Sequence, residues 1–169
     1  MAQKKRSTRP TLLAVGEGDS EEAFLKYLRR LYCSNYEGVS VTVVNAHGKG
    51  PGNVVSTAVG QLRNKDFDKA LALLDTDLPW SPKDREAARR AKTVLIGSTP
   101  CLEGLLLKIL GQAIPELSAQ CKKRIATLVE GELTETDSYT AVFPKHVLDA
   151  AREKITELDV LLTLYEGKA

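Results

Sequence analysis

Three acidic residues follow apolar segments of the chain, where their side chains could bind a divalent cation. Glu17 comes shortly after the apolar run at 11–15. Asp75 and Asp77 come at the end of the run at 70–74. Mg²⁺ prefers oxygen ligands at about 2.0–2.1 Å, usually a few carboxylates together with waters and substrate phosphate. The residue types therefore predict a Mg²⁺ site, in which Mn²⁺ could substitute. The ion could neutralise the negative charge of a phosphodiester as it is attacked.

Alternating strand-like and helix-like segments predict the scaffold that positions these acids. Apolar or β-branched runs predict strands at 11–15, 39–45, 70–74 and 93–97. Helical spacing predicts helices at 19–32, 53–62, 82–92 and 100–110. Asp19 is the expected N-cap of the first helix, and Glu22 completes its capping box. The pattern is typical of an α/β fold with a mostly parallel four-stranded sheet flanked by helices.

The chain divides into three stretches without a linker or repeat between them. Residues 1–10 form a basic arm, 11–112 an α/β core, and 113–169 a helical extension packed on that core. Within the extension, spacing predicts helices at 115–130 and 144–166. We therefore expect a single domain with one substantial core.

Composition narrows the cellular setting but leaves the partner open. The net charge of +2 neither demands nor excludes nucleic acid. No apolar stretch approaches the ~20 residues that span a bilayer, and the N-terminus does not resemble a signal peptide. Cys33, Cys101 and Cys121 are widely spaced and fit neither a zinc pattern nor a disulfide framework. We expect buried thiols in a reducing cytoplasm and no membrane association; the sequence does not indicate an oligomeric state.

Parallel sheets bind ligands beyond the carboxyl ends of their strands, and the candidate acids all fall there. Glu21 lies four residues after Glu17 and can reach the same edge, whereas Glu22 is assigned to helix capping. Glu103 follows the strand at 93–97. If the chain stays extended through 75–77, the side chains of both aspartates point to the same side of the strand.

Three short segments carry a resemblance to a known family. The segment EGDSEE at 17–22 resembles the EGxTEE segment of OLD-type and RloB-like proteins of the Toprim superfamily. The segment LLDTD at 73–77 is similar to the acidic DxD motif of that superfamily. STPCLE at 98–103 resembles the SNPxFE segment of RloB-like proteins, and residues 139–148 are similar to their C-terminal part. The resemblance spans most of the chain.

The resemblance implies a Mg²⁺-dependent endonuclease, a hydrolase that cuts phosphodiester bonds in DNA or RNA. By motif position, Glu17 would be the general acid or base, and Asp75 and Asp77 would hold the metal. Glu21 would be a secondary metal ligand and Glu103 a further acid. OLD-type and RloB-like members are associated with bacterial anti-phage defence. Because no ATPase module precedes the motifs, we expect that ATP control would require a separate partner or defence complex.

Two alternatives stay open at this stage. Thr99 and Leu102 stand where RloB-like proteins tend to have Asn and an aromatic residue, so the chain could be a catalytically weak nucleic-acid-binding or regulatory Toprim subunit that needs a partner. It could also be a phosphohydrolase of small phosphorylated molecules. His47 and Lys49, in a Gly-rich segment ahead of a helix, and Trp80 could contact nucleic acid. An ordinary loop with unusual backbone angles would also explain the Gly-rich segment, and packing over the sheet edge would also explain Trp80.

Overall fold

A computed structural model describes residues 9–169, which a parallel sheet organises. The strands are β1 (Thr11–Gly16), β2 (Ser40–Asn45), β3 (Lys69–Asp75) and β4 (Thr93–Ser98). They form one four-stranded sheet in the order β2-β1-β3-β4, and every neighbouring pair is parallel. The α/β class is thereby confirmed, with a sheet that is wholly rather than mostly parallel. Most of the predicted basic arm at 1–10 lies outside the described residues.

Helices connect the strands and continue after the last one. They are α1 (Asp19–Tyr32), α2 (Gly50–Asn64), α3 (Pro82–Arg90), α4 (Leu102–Ile109), α5 (Ser118–Ala126), α6 (Lys145–Arg152) and α7 (Thr156–Glu166), with a 3₁₀ turn at Thr136–Tyr139. The predicted helix at 53–62 begins earlier, within the Gly-rich segment. The helix predicted over 115–130 is limited to α5. The one predicted over 144–166 is broken into α6 and α7, because Ile155 adopts an extended conformation between them and is buried.

The two faces of the sheet bury separate sets of apolar side chains. Leu12, Leu71 and Ile96 pack with α1, α4 and the C-terminal helices. Leu13 and Val15 face the opposite layer, formed by α2 and α3. The result is a three-layer, Rossmann-like arrangement in which residues from both the predicted core and the predicted extension share one apolar cluster.

Two further sequence expectations concern membranes and thiols. Across residues 9–169, no helix is long and apolar enough to cross a bilayer. Cys33, Cys101 and Cys121 are free and buried, as the sequence predicted.

The strand order creates a topological switch point between the two central strands. β1 is followed by α1, which leads to β2 on one side of the sheet, whereas β3 is followed by α3, which leads to β4 on the other side. The helices α1 and α3 also lie on opposite faces. Open α/β sheets bind ligands at such a switch point, beyond the carboxyl ends of the strands. The fold therefore directs attention to the residues that follow β1 and β3.

Candidate metal centre

Glu17 lies at this switch point and links the end of β1 to the end of β3. Its Oε2 atom accepts a hydrogen bond from the backbone N–H of Asp75, at 3.1 Å. Helix α1 then begins very close to the end of β1. A Cβ atom added to Gly16 would lie 2.8 Å from Cβ of Glu21, so this approach requires glycine. The geometry brings both glutamates to the same edge of the sheet, as the sequence predicted.

Asp75 ends β3 beside the start of a helix. Its Oδ1 atom accepts a hydrogen bond from the N–H of Leu102, the first residue of α4, at 3.1 Å. A helix N-terminus favours a negative charge. Burial nevertheless raises the pKa of Asp75, and together with the nearby carboxylates of Glu21, Glu17, Asp77 and Glu103 it brings this pKa to about 8. These four carboxylates therefore act on Asp75, and we call the five acids together the carboxylate cluster.

Glu21 and Glu103 are the most buried members of the carboxylate cluster, each with only 8% of its surface exposed. Burial raises the pKa of Glu21, and the charges of Glu103 and Glu17 add to that effect. A buried carboxylate without a cationic partner is costly, because desolvation disfavours its charged form. Glu103 thus lies deep in the cluster that the sequence predicted.

The capping of α1 differs from the sequence prediction by one residue. Gly18, rather than Asp19, occupies the N-cap position, and its N–H donates to Oε2 of Glu21 at 3.0 Å. Glu22 is instead paired with Lys26 at 2.7 Å and bonded to Asn45. The prediction that Glu22 completes the capping box is therefore wrong, because Glu21 occupies that position.

Asp77 lies at the margin of the carboxylate cluster. The strand ends at Asp75, and the N–H groups of Thr76 and Asp77 both donate to the carbonyl of Pro100, at 3.1 and 3.0 Å. The extended conformation considered for 75–77 is therefore not adopted. Asp77 is exposed, and its Oδ2 accepts a hydrogen bond from Oγ of Ser118 at 2.9 Å. Sequence reasoning missed Ser118, because its position at the start of α5 gave no indication of this contact.

The carboxylate cluster has the donor chemistry of a hard-cation site but does not form a closed set of ligands. Oxygen donors and unrelieved repulsion around Asp75 fit a divalent cation. Over residues 9–169, however, no three His, Cys, Asp or Glu side chains are arranged to hold one ion. Glu17, Glu21 and Asp75 each accept a hydrogen bond from a backbone amide. Coordination would require some of these side chains to turn.

The Gly-rich loop ahead of α2 reaches the same edge. The N–H of Gly48 donates to the carbonyl of Glu17 at 2.7 Å. His47, Gly48, Lys49 and Gly50 all have positive φ, so the expectation of unusual backbone angles is confirmed. The side chains of His47 and Lys49 are exposed. Their predicted contact with nucleic acid stays a prediction.

Trp80 packs over the sheet edge. Its Nε1 donates to the carbonyl of Asp75 at 3.0 Å, and its ring lies against Gly97, where an added Cβ would be 3.1 Å from a ring carbon. The guanidinium carbon of Arg85 lies 5.0 Å from the ring centroid. The predicted packing over the sheet edge is therefore observed, and the predicted contact of Trp80 with nucleic acid stays a prediction. Sequence reasoning did not single out Arg85.

Comparison with known proteins did not identify a relative of this chain. No family model matches the chain, and neither a curated protein nor a solved structure is significantly similar to it. The resemblance to Toprim proteins therefore rests on the three motifs and on the edge of the sheet to which the fold brings them.

Proposed function

We propose that this chain is a divalent-metal-dependent endonuclease of the Toprim type that cleaves phosphodiester bonds in DNA or RNA. The observation that carries the proposal is the gathering of five acids at the switch point, where burial and then the neighbouring carboxylates raise the pKa of Asp75. Groups with strongly perturbed pKa values in a cleft are typical of functional sites. A structural role alone gives little reason to gather five acids, none of which forms a salt bridge within residues 9–169.

The site residues take distinct roles in this proposal. Asp75 and Asp77 would hold a Mg²⁺ or Mn²⁺ ion, with Glu17, Glu21 and Glu103 as further oxygen donors. The ion would supply charge neutralisation at the phosphate and a polarised water. Glu17, anchored on the amide of Asp75, would accept or deliver the proton of the attacking or leaving oxygen.

The experiment is a cleavage assay on single- and double-stranded DNA and RNA, with and without Mg²⁺ or Mn²⁺. Glu17→Gln and Asp75→Asn are expected to lower the rate by about a hundredfold or more, the range typical of a lost general acid or base. Glu22→Gln is the matched control, because Glu22 lies close to Glu17 in sequence but pairs with Lys26. Unchanged cleavage in both site variants would sink the proposal.

A second function has one observation in its favour. Because no three ligands converge on one point within residues 9–169, the chain could be a catalytically weak nucleic-acid-binding or regulatory Toprim subunit that needs a partner. Salt-sensitive binding of nucleic acid without metal-dependent cleavage would favour that function. Hydrolysis of nucleotides but not of polymers would instead indicate a phosphohydrolase of small molecules.

A further inference from the structure

Arg85 is a cation that lies near the end of β3, on the ring of Trp80. Arg85 is exposed and its guanidinium carbon lies 5.0 Å from the centroid of the Trp80 ring. Within residues 9–169 no carboxylate pairs with Arg85. The acids nearest in sequence are engaged elsewhere: Asp84 accepts from Oγ of Ser81 at 2.7 Å, and Glu86 binds both Arg89 and Arg90.

The surroundings of Arg85 form a small recess. Thr76, Leu78, Pro79, Trp80 and Arg85 line a cavity of about 120 Å³, and we call this set the Arg85 platform. Leu78 is 53% exposed, which leaves apolar surface at the mouth of the cavity. The recess therefore offers one planar cation and an apolar wall.

The Arg85 platform is fixed relative to the carboxylate cluster. Trp80 donates to the carbonyl of Asp75, and Thr76 is the next residue along the chain. The Oγ1 atoms of Thr76 and Thr99 are 3.0 Å apart, which ties this wall to the loop before α4. A ligand on the platform would thus extend from the phosphate that the cluster is proposed to act on.

The negative charge of the carboxylate cluster determines which contacts a nucleic-acid ligand would need. The carboxylate cluster repels a polyanion, so a nucleic acid must gain compensating contacts close by. A guanidinium binds phosphate through a planar set of donors and also stacks on flat rings. Proteins that bind single strands combine cationic grooves with such stacking surfaces.

We propose that the Arg85 platform binds a nucleotide next to the cleaved bond in single-stranded nucleic acid, with Arg85 on its phosphate and its base in the apolar recess. The inference rests on the proposed function, because it identifies the substrate of that same site as single-stranded. A duplex would keep its bases stacked and could not place one in the recess.

The test measures binding of fluorescein-labelled oligo-dT and oligo-U by fluorescence anisotropy in Mg²⁺, over a series of KCl concentrations. The full chain carries Glu17→Gln in every sample so that the probe stays intact. Adding Arg85→Ala is expected to weaken binding about tenfold, as for a lost stacking contact. It should also reduce the slope of log affinity against log salt by about 0.7, the value for one phosphate contact on a single strand.

Two further variants separate the role of the platform from general charge. Arg63→Ala removes an exposed cation in the last turn of α2, which lies at the opposite edge of the sheet, and should leave affinity and slope unchanged. Arg85→Lys should keep most of the salt slope but lose affinity, because lysine lacks the planar group.

The outcomes distinguish this inference from the proposed function. Equal behaviour of Arg85→Ala and Arg63→Ala, or no binding of either oligonucleotide by the parent, overturns the inference. Duplex binding as tight as single-strand binding in the parent does the same. If the wild type cleaves while Arg85→Ala binds normally, the nuclease proposal stands and the platform fails. If Arg85→Ala weakens binding while the wild type never cleaves, the platform stands and the nuclease proposal fails.

Discussion

At the scale of single residues, the most informative electrostatic property is the raised pKa of Asp75. Asp75 is partly buried at a strand end and has other acids around it. The hydrogen bond from the amide of Leu102 offsets only part of the cost of its negative charge. The pKa of Asp75 is about 8 against an ordinary value of 3.8. Folding without a counter-ion therefore favours the protonated form of Asp75.

The raised pKa of Asp75 predicts a dependence of stability on pH. In EDTA, the unfolded chain releases this proton near pH 4 and the folded chain near pH 8, so stability falls as pH rises between these values and levels off above. Asp75→Asn removes the effect. We expect the variant to exceed the wild type at pH 9 by on the order of 2 kcal/mol, a figure discounted for partial exposure, and to match it near pH 4.

Urea unfolding at several pH values measures this difference. Asp66→Asn is the control, because Asp66 is exposed and lies ahead of β3, away from the carboxylate cluster. If the stability of the wild type does not decrease between pH 5 and 9 relative to that of Asp75→Asn, folding does not raise the pKa of Asp75.

At the scale of elements, close backbone approaches hold the acids in place. Gly16 allows α1 to start against the end of β1. Gly104 does the same for α4, since a Cβ there would lie 2.3 Å from the carbonyl oxygen of Thr99 and 2.8 Å from Cδ of Pro100. The start of α4 is thereby kept where its first amide reaches Asp75.

Two helical glycines should respond in opposite directions to replacement by alanine. Gly104→Ala introduces a clash with backbone and is expected to destabilise the fold by about 1–3 kcal/mol. Gly60, in the middle of α2, has nothing within 4 Å of an added Cβ, so Gly60→Ala should stabilise by about 0.5–1 kcal/mol. Chemical denaturation of both variants measures the contrast. A stabilising Gly104→Ala would contradict the packing described for α4.

The sequence predicted the elements better than their ends and contacts. Apolar or β-branched runs located every strand, and the central strands β1 and β3 are almost continuously apolar because both of their faces are buried. The N-cap of α1 was misplaced because Asp19 has a capping side chain, whereas Gly18 is capped by a glutamate that reaches back from the first turn. Asp77 and Ser118 are far apart in sequence, and only tertiary structure brings them together. The positions of Glu17 and Asp75 followed from the rule for strand ends.

At the scale of the whole molecule, the C-terminal helices belong to the same core as the sheet. Tyr139, Tyr165 and Leu161 are fully buried with residues of α1 and α4. The hydroxyl of Tyr165 donates to the carbonyl of Leu25 at 2.9 Å, which joins α7 to α1. The region beyond α4 therefore supports the helix that presents Glu21.

Truncation of a buried side chain in α7 should accordingly affect the entire fold. Leu161→Ala is expected to lower the free energy of unfolding by about 2–5 kcal/mol in a single transition, because it leaves a cavity in the shared core. Val160, its exposed neighbour, provides the control, and Val160→Ala should change stability by no more than about 0.5 kcal/mol. Two separate transitions in Leu161→Ala, followed by fluorescence and circular dichroism, would contradict a common core.

The central claim is that the carboxylate cluster at the β1–β3 switch point holds a divalent cation. The most direct measurement is anomalous diffraction from a crystal soaked in Mn²⁺. We predict a peak at about 2.0–2.2 Å from carboxylate oxygens of Glu17 and Asp75, with Asp77 or Glu21 completing the protein ligands. A fully soaked crystal with no peak at this edge, or with the Glu17 and Asp75 carboxylates more than about 8 Å apart, would contradict the claim, since one ion could not bridge that gap.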